Sequence, residues 1–283
     1  MAVASGTWVW VDGVLTPAAE ARVDALDHGL TVGDGVFEAL KVVGSTPFAM
    51  SRHLRRLRRS AGAIGLEVPL ADHELVAAAA DTITAAGGSE ARRLRITVTG
   101  GLGPLSSDRA EAPPTVLIAA SPAPPWPATT EVVTVPWCRN ERGALAGVKS
   151  TSYAENVKAL DVAHRAGASE ALFANTVGSL CEGTGSNIFV VLEGRLLTPT
   201  LASGCLAGIT RELLLEVVEC TETDALRLGD LRRAEEAFLT SSTRDIHPIA
   251  AVDGSPLRTP CPGPLTLAAQ QAFADLQTRT LDP

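Results

Sequence analysis

The chain has 283 residues, of which 46% are hydrophobic, and its formal net charge at pH 7 is −8. This length and hydrophobic content fit a globular protein of one large or two modest domains and exclude a disordered tail protein. The acidic balance lacks the clustered positive charge of a nucleic-acid-binding protein, so we expect no nucleic-acid partner.

The spacing of the cysteines and the hydropathy pattern indicate the cellular compartment of the protein. The five cysteines are widely spaced, with no Cys-x-x-Cys pair: Cys138, Cys181, Cys205, Cys220 and Cys261. An odd number without close pairs argues against a disulfide framework and against a zinc site. No apolar run approaches ~18 residues, and no basic stretch precedes an apolar run at the N-terminus. We therefore expect a soluble cytoplasmic protein with no metal site and no membrane association.

The first part of the chain predicts a small domain of mixed structure over residues 1–120. The predicted strands are 7–15, 36–42, 46–50, 92–99 and 116–120, and the predicted helices are 51–64 and 71–86. The first helix is indicated by apolar residues at helical spacing, and the strand at 92–99 by alternating apolar residues. The Asp12-Gly13 pair predicts a tight turn within the first strand.

A proline-rich segment separates this part from the rest. Residues 121–127 contain four prolines, which cannot continue a helix or a central strand, so we predict an interdomain linker over 121–129. Beyond it, a larger domain is predicted over 130–283. Its predicted strands are 130–137, 170–175, 187–192, 195–198 and 237–240, and its predicted helices are 153–166, 211–220 and 264–277. The fold class is therefore α+β, in two domains.

Four segments carry residues suited to chemistry. Lys149 is one of three lysines in the chain, and only a lysine amine can form a Schiff base. Residues 181–187 form a glycine-rich turn with Glu182, residues 208–211 open a helix, and residues 52–59 are rich in arginine. A helix start binds phosphate readily through its backbone N–H groups. Taken alone, each segment also has an ordinary structural explanation.

The segments occur together and in order, and that combination is specific. The shared segments are Gly-Asp-Gly-Val-Phe-Glu (33–38), His-Leu-Arg-Arg-Leu (53–57), the lysine at 149, Glu-Gly-Thr-Gly-Ser-Asn-Ile-Phe (182–189), Leu-Ala-Gly-Ile-Thr-Arg (206–211) and Thr-Ser-Ser-Thr (240–243). With these residues the sequence resembles the class IV aminotransferases, also called fold type IV pyridoxal-phosphate enzymes. This family includes D-amino-acid aminotransferases, branched-chain aminotransferases and aminodeoxychorismate lyases.

The resemblance implies an architecture and a set of partners. It implies a small N-terminal α/β domain and a larger C-terminal α/β domain, with pyridoxal 5'-phosphate between them. It also implies a homodimer whose small-molecule substrates are an amino acid and a 2-oxo acid. A non-enzymatic protein on the same fold would require loss of the lysine, the glutamate or the phosphate-binding residues, and none is lost.

The resemblance also implies a role for each matching residue. Lys149 would bond the cofactor and then act as general base on the substrate α-proton. Glu182 would keep the pyridine nitrogen protonated, and Tyr153 would contact the ring hydroxyl. The remaining cofactor contacts would come from Leu206 against the ring and, at the phosphate, from Arg56, Ile209, Thr210 and Thr243.

The substrate stays open among three branches of the family. The D-amino-acid branch has a tyrosine where Phe37 stands and an Arg-x-His pair where this chain has Leu105 and Ser107, so its usual carboxylate site is absent or rebuilt. We expect Phe37, Arg95 and Arg244 to contact the substrate, and Arg109 is a further candidate for its carboxylate. Glu38 favours transfer over lyase chemistry, because the lyases tend to carry a threonine near that position. We place a D-amino-acid transaminase first, an aminodeoxychorismate lyase second and a branched-chain transaminase third.

Overall fold

The computed structural model describes residues 6–283 and contains two compact units. The N-terminal unit comprises the residues up to Pro125 together with Val148–Tyr153 and Asp282. The C-terminal unit comprises Trp126–Gly147, Ala154–Leu281 and Pro283. The division after Pro125 falls within the proline-rich segment 121–129. The short segment that contains Lys149 belongs to the N-terminal unit, although it follows the first strand of the C-terminal unit in sequence.

The N-terminal unit is a six-stranded antiparallel sheet covered by helices. Its strands are β1 (Trp8–Val11), β2 (Val14–Pro17), β3 (Gly35–Val43), β4 (Thr46–Pro47), β5 (Arg93–Thr99) and β6 (Thr115–Ser121). Its helices are α1 (His28–Thr31), α2 (Met50–Ala63) and α3 (Asp72–Ala85), with a 3₁₀ turn at Gly88–Glu90. The strand order is β2-β1-β6-β5-β3-β4. Helix α2 packs on β3, and α3 packs on β1 and β6.

The N-terminal core lies between this sheet and the two long helices. Val36 and Leu40 of β3 are fully buried on the face that meets Leu54 and Leu57 of α2. Side chains alternate between the two faces of a strand, so Glu38 points into the same layer as its apolar neighbours. A carboxylate in this layer needs partners, and α2 supplies them.

The predicted strand at 46–50 is wrong beyond its first two residues. The extended part ends at Pro47, which has no N–H to continue a ladder, and α2 begins at Met50. Between them Ala49 has a left-handed backbone with φ of 56°, which ends the extended conformation.

The C-terminal unit is built on a nine-stranded mixed sheet. Its strands are β7 (Thr130–Arg139), β8 (Glu170–Asn175), β9 (Leu180–Gly183), β10 (Asn187–Leu192), β11 (Arg195–Thr198), β12 (Thr221–Glu222), β13 (Glu236–Ser241), β14 (Asp245–Val252) and β15 (Ser255–Pro256). Its helices are α4 (Ala154–Arg165), α5 (Ile209–Leu215) and α6 (Pro264–Arg279), with 3₁₀ turns at Leu201–Ser203 and Leu228–Arg233. The strand order is β12-β11-β10-β13-β14-β7-β8-β9, and β15 pairs with β14.

The helices of the C-terminal unit cover this sheet at separate places. Helix α4 packs on β7 and β8, α6 packs on β13 and β14, and α5 packs on β13 and α6. Helix α5 starts at Ile209 and ends at Leu215, so the predicted helix at 211–220 is two residues late at its start and five too long. Val217 and Val218 follow its end, and such β-branched residues weaken a helix. Within residues 6–283, no helix is long and apolar enough to cross a membrane.

Candidate active site

Lys149 lies beside the start of β3 in the N-terminal unit. Its backbone oxygen accepts a hydrogen bond from the N–H of Phe37 at 3.0 Å, and its own N–H donates to Ser60 Oγ at 3.3 Å. The next residue, Ser150, forms an isolated bridge with Val36. These backbone contacts tie the lysine segment to the edge of β3 and position the Lys149 amine, whose Nζ lies 4.5 Å from the centre of the Phe37 ring.

Two further predicted residues meet at Phe37. The ring of Tyr153 contacts it edge to face, with centroids 5.2 Å apart, and Arg95 Cζ lies 3.7 Å from its centre. Arg95 reaches Phe37 because β5 pairs with β3: Thr97 lies opposite Phe37, and Arg95 lies opposite Ala39, two positions further along and on the same face of the sheet. Arg95 is exposed, yet the atoms around it desolvate its guanidinium enough to lower its pKa, an effect that Tyr153 partly offsets. The structure thus brings Phe37, Arg95, Lys149 and Tyr153 together.

Arg56 lies deeper, in a buried polar cluster with Glu38 and His53. Arg56 donates from Nε to Glu38 Oε1 at 2.8 Å and from Nη2 to Oε2 at 2.6 Å, and His53 Nδ1 lies 2.6 Å from Oε2. Burial alone would raise the pKa of Glu38, but the charge of Arg56 and hydrogen bonds from both partners lower it to about 2. Burial lowers the pKa of His53; the Glu38 carboxylate acts in the opposite direction, and the charges of Arg56 and Lys149 add to the lowering. Glu38 is therefore ionised and His53 neutral near pH 7.

In the C-terminal unit, Glu182 stands at the end of a hydrogen-bonded pair of strands. β9 pairs with β8, which places Glu182 opposite Phe173. Its Oε1 accepts from Arg139 Nε at 3.1 Å, and its Oε2 accepts from the N–H of Leu206 at 2.9 Å. Arg139 in turn lies over the Phe173 ring at 4.1 Å. The Glu182 carboxylate is therefore held by two donors, the Arg139 side chain and the backbone of Leu206, which is itself a predicted cofactor contact.

The start of α5 is tightly packed. Ile209 and Thr210, the first two residues of the helix, are buried, and the first N–H groups of a helix have no partner within it. Asn187 donates to the carbonyl of Leu206 at 2.8 Å, just before the helix. A side chain at Gly208 would collide with this amide, because an added Cβ would lie 2.0 Å from Asn187 Oδ1. Glycine is therefore required where the chain enters α5.

The strand against which α5 packs ends in buried hydroxyl groups. Thr240 Oγ1 and Ser241 Oγ are buried and lack a hydrogen-bond partner among residues 6–283. Thr240 pairs with Asn187 across β13 and β10, and Asn187 holds the chain just before α5, so the Thr240 hydroxyl lies near the entry to this helix. Thr243 follows two residues later, in the turn to β14. Buried hydroxyls without partners are uncommon and indicate a ligand or water.

Arg244 follows Thr243 and is strongly engaged. Its Nη2 lies 3.0 Å from Glu170 Oε2, its Nη1 donates to Ser169 Oγ at 3.2 Å, and its Cζ lies 4.0 Å from the centre of the Trp126 ring. Burial raises the pKa of Glu170, and Arg244 counteracts this. The contact that we expect between Arg244 and substrate stays a prediction; the structure shows this arginine in a structural ion pair.

Arg109 anchors the loop between β5 and β6. Arg109 donates from Nε and Nη2 to the two carboxylate oxygens of Asp34, at 2.8 and 2.6 Å, and also to the carbonyls of Ile64 and Gly65. Leu105 is 83% exposed. Arg109 thus fastens the loop to the start of β3 and the end of α2.

Sequence reasoning missed the residues that hold the predicted ones. Arg139 beside Glu182 and Glu170 beside Arg244 had no signal, because the members of each pair are far apart in sequence and meet only in the folded chain. The cluster around Arg56 did have a signal: His53 and Arg56 are three residues apart and therefore share a face of α2. For Glu38 the sequence indicates only a preference for transfer over lyase chemistry.

Comparison with known proteins gives one consistent result. The profile of the family described as amino-transferase class IV matches residues 35–252, which is more than half of the chain. The chain is 29% identical to the D-alanine aminotransferase of Bacillus licheniformis, over 94% of this chain and 95% of that protein.

Two solved structures of branched-chain aminotransferases are also similar. The enzyme of Thermoproteus uzoniensis, solved with norvaline, is 32% identical, with a TM-score of 0.86 over 95% of this chain and 93% of that one. The Escherichia coli enzyme is 28% identical, with a TM-score of 0.87 over 95% and 94% of the two chains. These likenesses confirm the predicted fold class. The chain belongs to the class IV aminotransferases, enzymes that use pyridoxal 5'-phosphate to move an amino group between an amino acid and a 2-oxo acid.

Proposed function

We propose that this chain is a transaminase for apolar L-amino acids of the branched-chain type, with Lys149 as its catalytic residue. The observation that carries the proposal is the group around Phe37. An apolar ring lies 4.5 Å from the Lys149 amine and 3.7 Å from the guanidinium carbon of Arg95. The Phe37 ring can contact an apolar substrate side chain, and Arg95 can bind an acidic group of the substrate, both beside Lys149.

The residues of the C-terminal unit fit the cofactor. A phosphate needs several donors, and the start of α5 offers the N–H groups of Ile209 and Thr210. The partnerless hydroxyls of Thr240 and Ser241 lie on the strand that packs against this helix, and Gly208 keeps the approach free of a side chain. These features support the assignment of Ile209, Thr210 and Thr243 to the phosphate.

Each remaining residue then has a defined task. When bound, the cofactor supplies an electron sink for the carbanion formed at the substrate α-carbon. Lys149 would hold the cofactor through Nζ and, once the amino donor has replaced it there, the freed amine would accept the α-proton at Nζ. Glu182, which accepts hydrogen bonds from Arg139 and from the Leu206 N–H, would hold a proton at the ring nitrogen. Tyr153 lies beside Phe37, where its hydroxyl would reach the ring hydroxyl.

The substrate assignment rests on where cationic groups are available. The two positions of the D-branch carboxylate pair hold Leu105 and Ser107, and Arg109 in the same loop is bound to Asp34. Arg95 is exposed and contacts the same Phe37 ring as Lys149, so we assign it to a substrate carboxylate. The similarity to two branched-chain enzymes supports this choice over the D-amino-acid transaminase that the sequence placed first.

A D-amino-acid transaminase is the second candidate. The match to a D-alanine aminotransferase extends over nearly the whole chain and favours it. An aminodeoxychorismate lyase is third, because the ionised, buried Glu38 occupies the position where the lyases tend to carry threonine.

The visible spectrum of the purified protein tests these alternatives. A cofactor bonded to Lys149 absorbs in the visible range, and an accepted amino donor bleaches that band. We expect L-leucine to bleach it and D-alanine to leave it unchanged, while Lys149→Ala lacks the band. Bleaching by D-alanine alone would instead assign the D-branch. A stable band with both donors would move the lyase to first place.

We further propose a homodimer formed through an apolar patch on the N-terminal unit. The patch comprises Leu26, Leu30, Val32, Leu102 and Leu105, all of which are more than 40% exposed. Hydrogen bonds between segments 26–34 and 100–104 hold these residues in one place. Exposed apolar groups gathered in this way are typical of a protein interface, and a second copy of the chain is the occupant that family membership favours.

A further inference from the structure

The buried cluster of Glu38, His53 and Arg56 has a geometry that the roles above do not explain. Arg56 uses two adjacent nitrogens, Nε and Nη2, to bind the two oxygens of Glu38. The N–H groups of a guanidinium lie in one plane, so a two-point contact of this kind fixes the orientation of that plane. Rotation of the guanidinium would break both hydrogen bonds.

His53 holds the carboxylate in turn. Its Nδ1 lies 2.6 Å from Glu38 Oε2, and its ring is neutral near pH 7 because burial lowers its pKa. The neutral ring then donates from Nδ1 to the ionised carboxylate. All three side chains are at most 3% exposed, so water does not compete for these contacts.

The cluster is not needed to fill the core. Glu38 stands between Val36 and Leu40 on β3, facing the apolar layer of Leu54 and Leu57 on α2. Replacing a buried ion pair by apolar residues often leaves stability unchanged or raises it. Core stability alone therefore does not account for a charged cluster in this layer.

We propose that Glu38 is a positioning residue that orients Arg56 toward the cofactor phosphate, with His53 as its support. This inference rests on the proposed function, specifically on Arg56 as a phosphate ligand. By charge alone Glu38 opposes an anion at this place, because it is itself negative. It aids phosphate binding only by fixing the direction in which Arg56 points. Loss of the Glu38 charge therefore strengthens phosphate binding if only charge matters, and weakens it if orientation matters.

The test compares two ligands that differ only in the phosphate. The full-length protein, freed of cofactor, is titrated with pyridoxal 5'-phosphate and with pyridoxal, and the ratio of the two dissociation constants gives the phosphate preference. We expect Glu38→Gln to lower this preference about 10- to 100-fold, because the amide breaks one of two charge-assisted hydrogen bonds. Affinity for pyridoxal should stay within about threefold of the wild-type value.

A matched control comes from the same helix. Arg58 of α2 also pairs with a carboxylate, that of Asp72, but both side chains are more than a third exposed. Asp72→Asn therefore removes the acidic partner of a neighbouring arginine without touching the buried cluster. Its phosphate preference should equal that of the wild type.

Each outcome decides the proposal. An unchanged or increased preference in Glu38→Gln would overturn it, since only the charge effect would then remain. Should that variant fail to fold, Glu38→Asp keeps the charge but withdraws the carboxylate, and the same loss of preference is expected. Failure of both to fold would assign the cluster to stability and also overturn the proposal. A wild-type protein without any phosphate preference would instead refute the role of Arg56 itself.

Discussion

Glu182, the residue that we propose to face the ring nitrogen, has its carboxylate held by two contacts. A carboxylate beside the ring nitrogen must be ionised to keep a proton there. Arg139 Nε and the Leu206 N–H each donate to a different oxygen of Glu182. The ion pair is only partly buried, with side-chain exposures of 16% and 14%, so its main effect is to fix direction rather than to add stability.

Glu182→Gln should therefore impair catalysis more than cofactor binding. The amide is neutral and cannot stabilise a protonated ring nitrogen, while the phosphate contacts are untouched. We expect kcat to fall about 100-fold or more and the cofactor dissociation constant to rise less than about tenfold, as measured by steady-state kinetics and absorbance titration. Glu155→Gln is the control, because Glu155 is an exposed partner of the same Arg139. Equal losses in kcat and affinity would contradict the role.

At the scale of elements, the strongest sequence patterns gave the right structure. Helices α2 and α3 agree with the predicted spans to within one residue at each end, because both carry apolar residues at helical spacing. β14 was not predicted, since Asp245, His247 and Pro248 interrupt its apolar pattern. It forms because its neighbours, β13 and β7, supply the pairing. Long-range pairing of this kind leaves no local signal in the sequence.

The entry to α5 depends on a residue that cannot be enlarged. Gly208 caps the helix, and a Cβ there would lie 2.0 Å from Asn187 Oδ1. We expect Gly208→Ala to lower the free energy of unfolding by about 1–3 kcal/mol and to weaken cofactor binding, because the helix start must move. Chemical denaturation and absorbance titration measure the two effects. Gly229→Ala, where the added Cβ meets nothing within 4 Å, should leave both unchanged. Wild-type cofactor affinity in Gly208→Ala would argue against phosphate at this helix.

At the scale of the whole molecule, the sequence indicated two parts but not their full composition. The prolines near 121–127 marked the division, because they interrupt regular structure. The segment Val148–Tyr153, which follows β7 in sequence, nevertheless belongs to the N-terminal unit. Its backbone contacts with Val36 and Phe37 place it there, and such contacts cannot be read from composition. The resemblance to the family predicts that Lys149 in this segment bonds the cofactor. The local sequence pattern alone is equally typical of an ordinary surface lysine.

The proposed dimer can be tested at this scale. Leu30 and Leu105 are the most exposed members of the apolar patch, at 71% and 83%. A carboxylate at either position would lose its hydration in an interface, so Leu30→Asp and Leu105→Asp should weaken the dimer by about 2 kcal/mol or more each. Sedimentation velocity over a range of protein concentrations measures this as a shift toward the monomer. Val177→Asp is the control, because Val177 is 63% exposed but lies on the C-terminal unit. Dimers that withstand both patch substitutions would place the interface elsewhere, and a wild-type monomer would remove the proposal altogether.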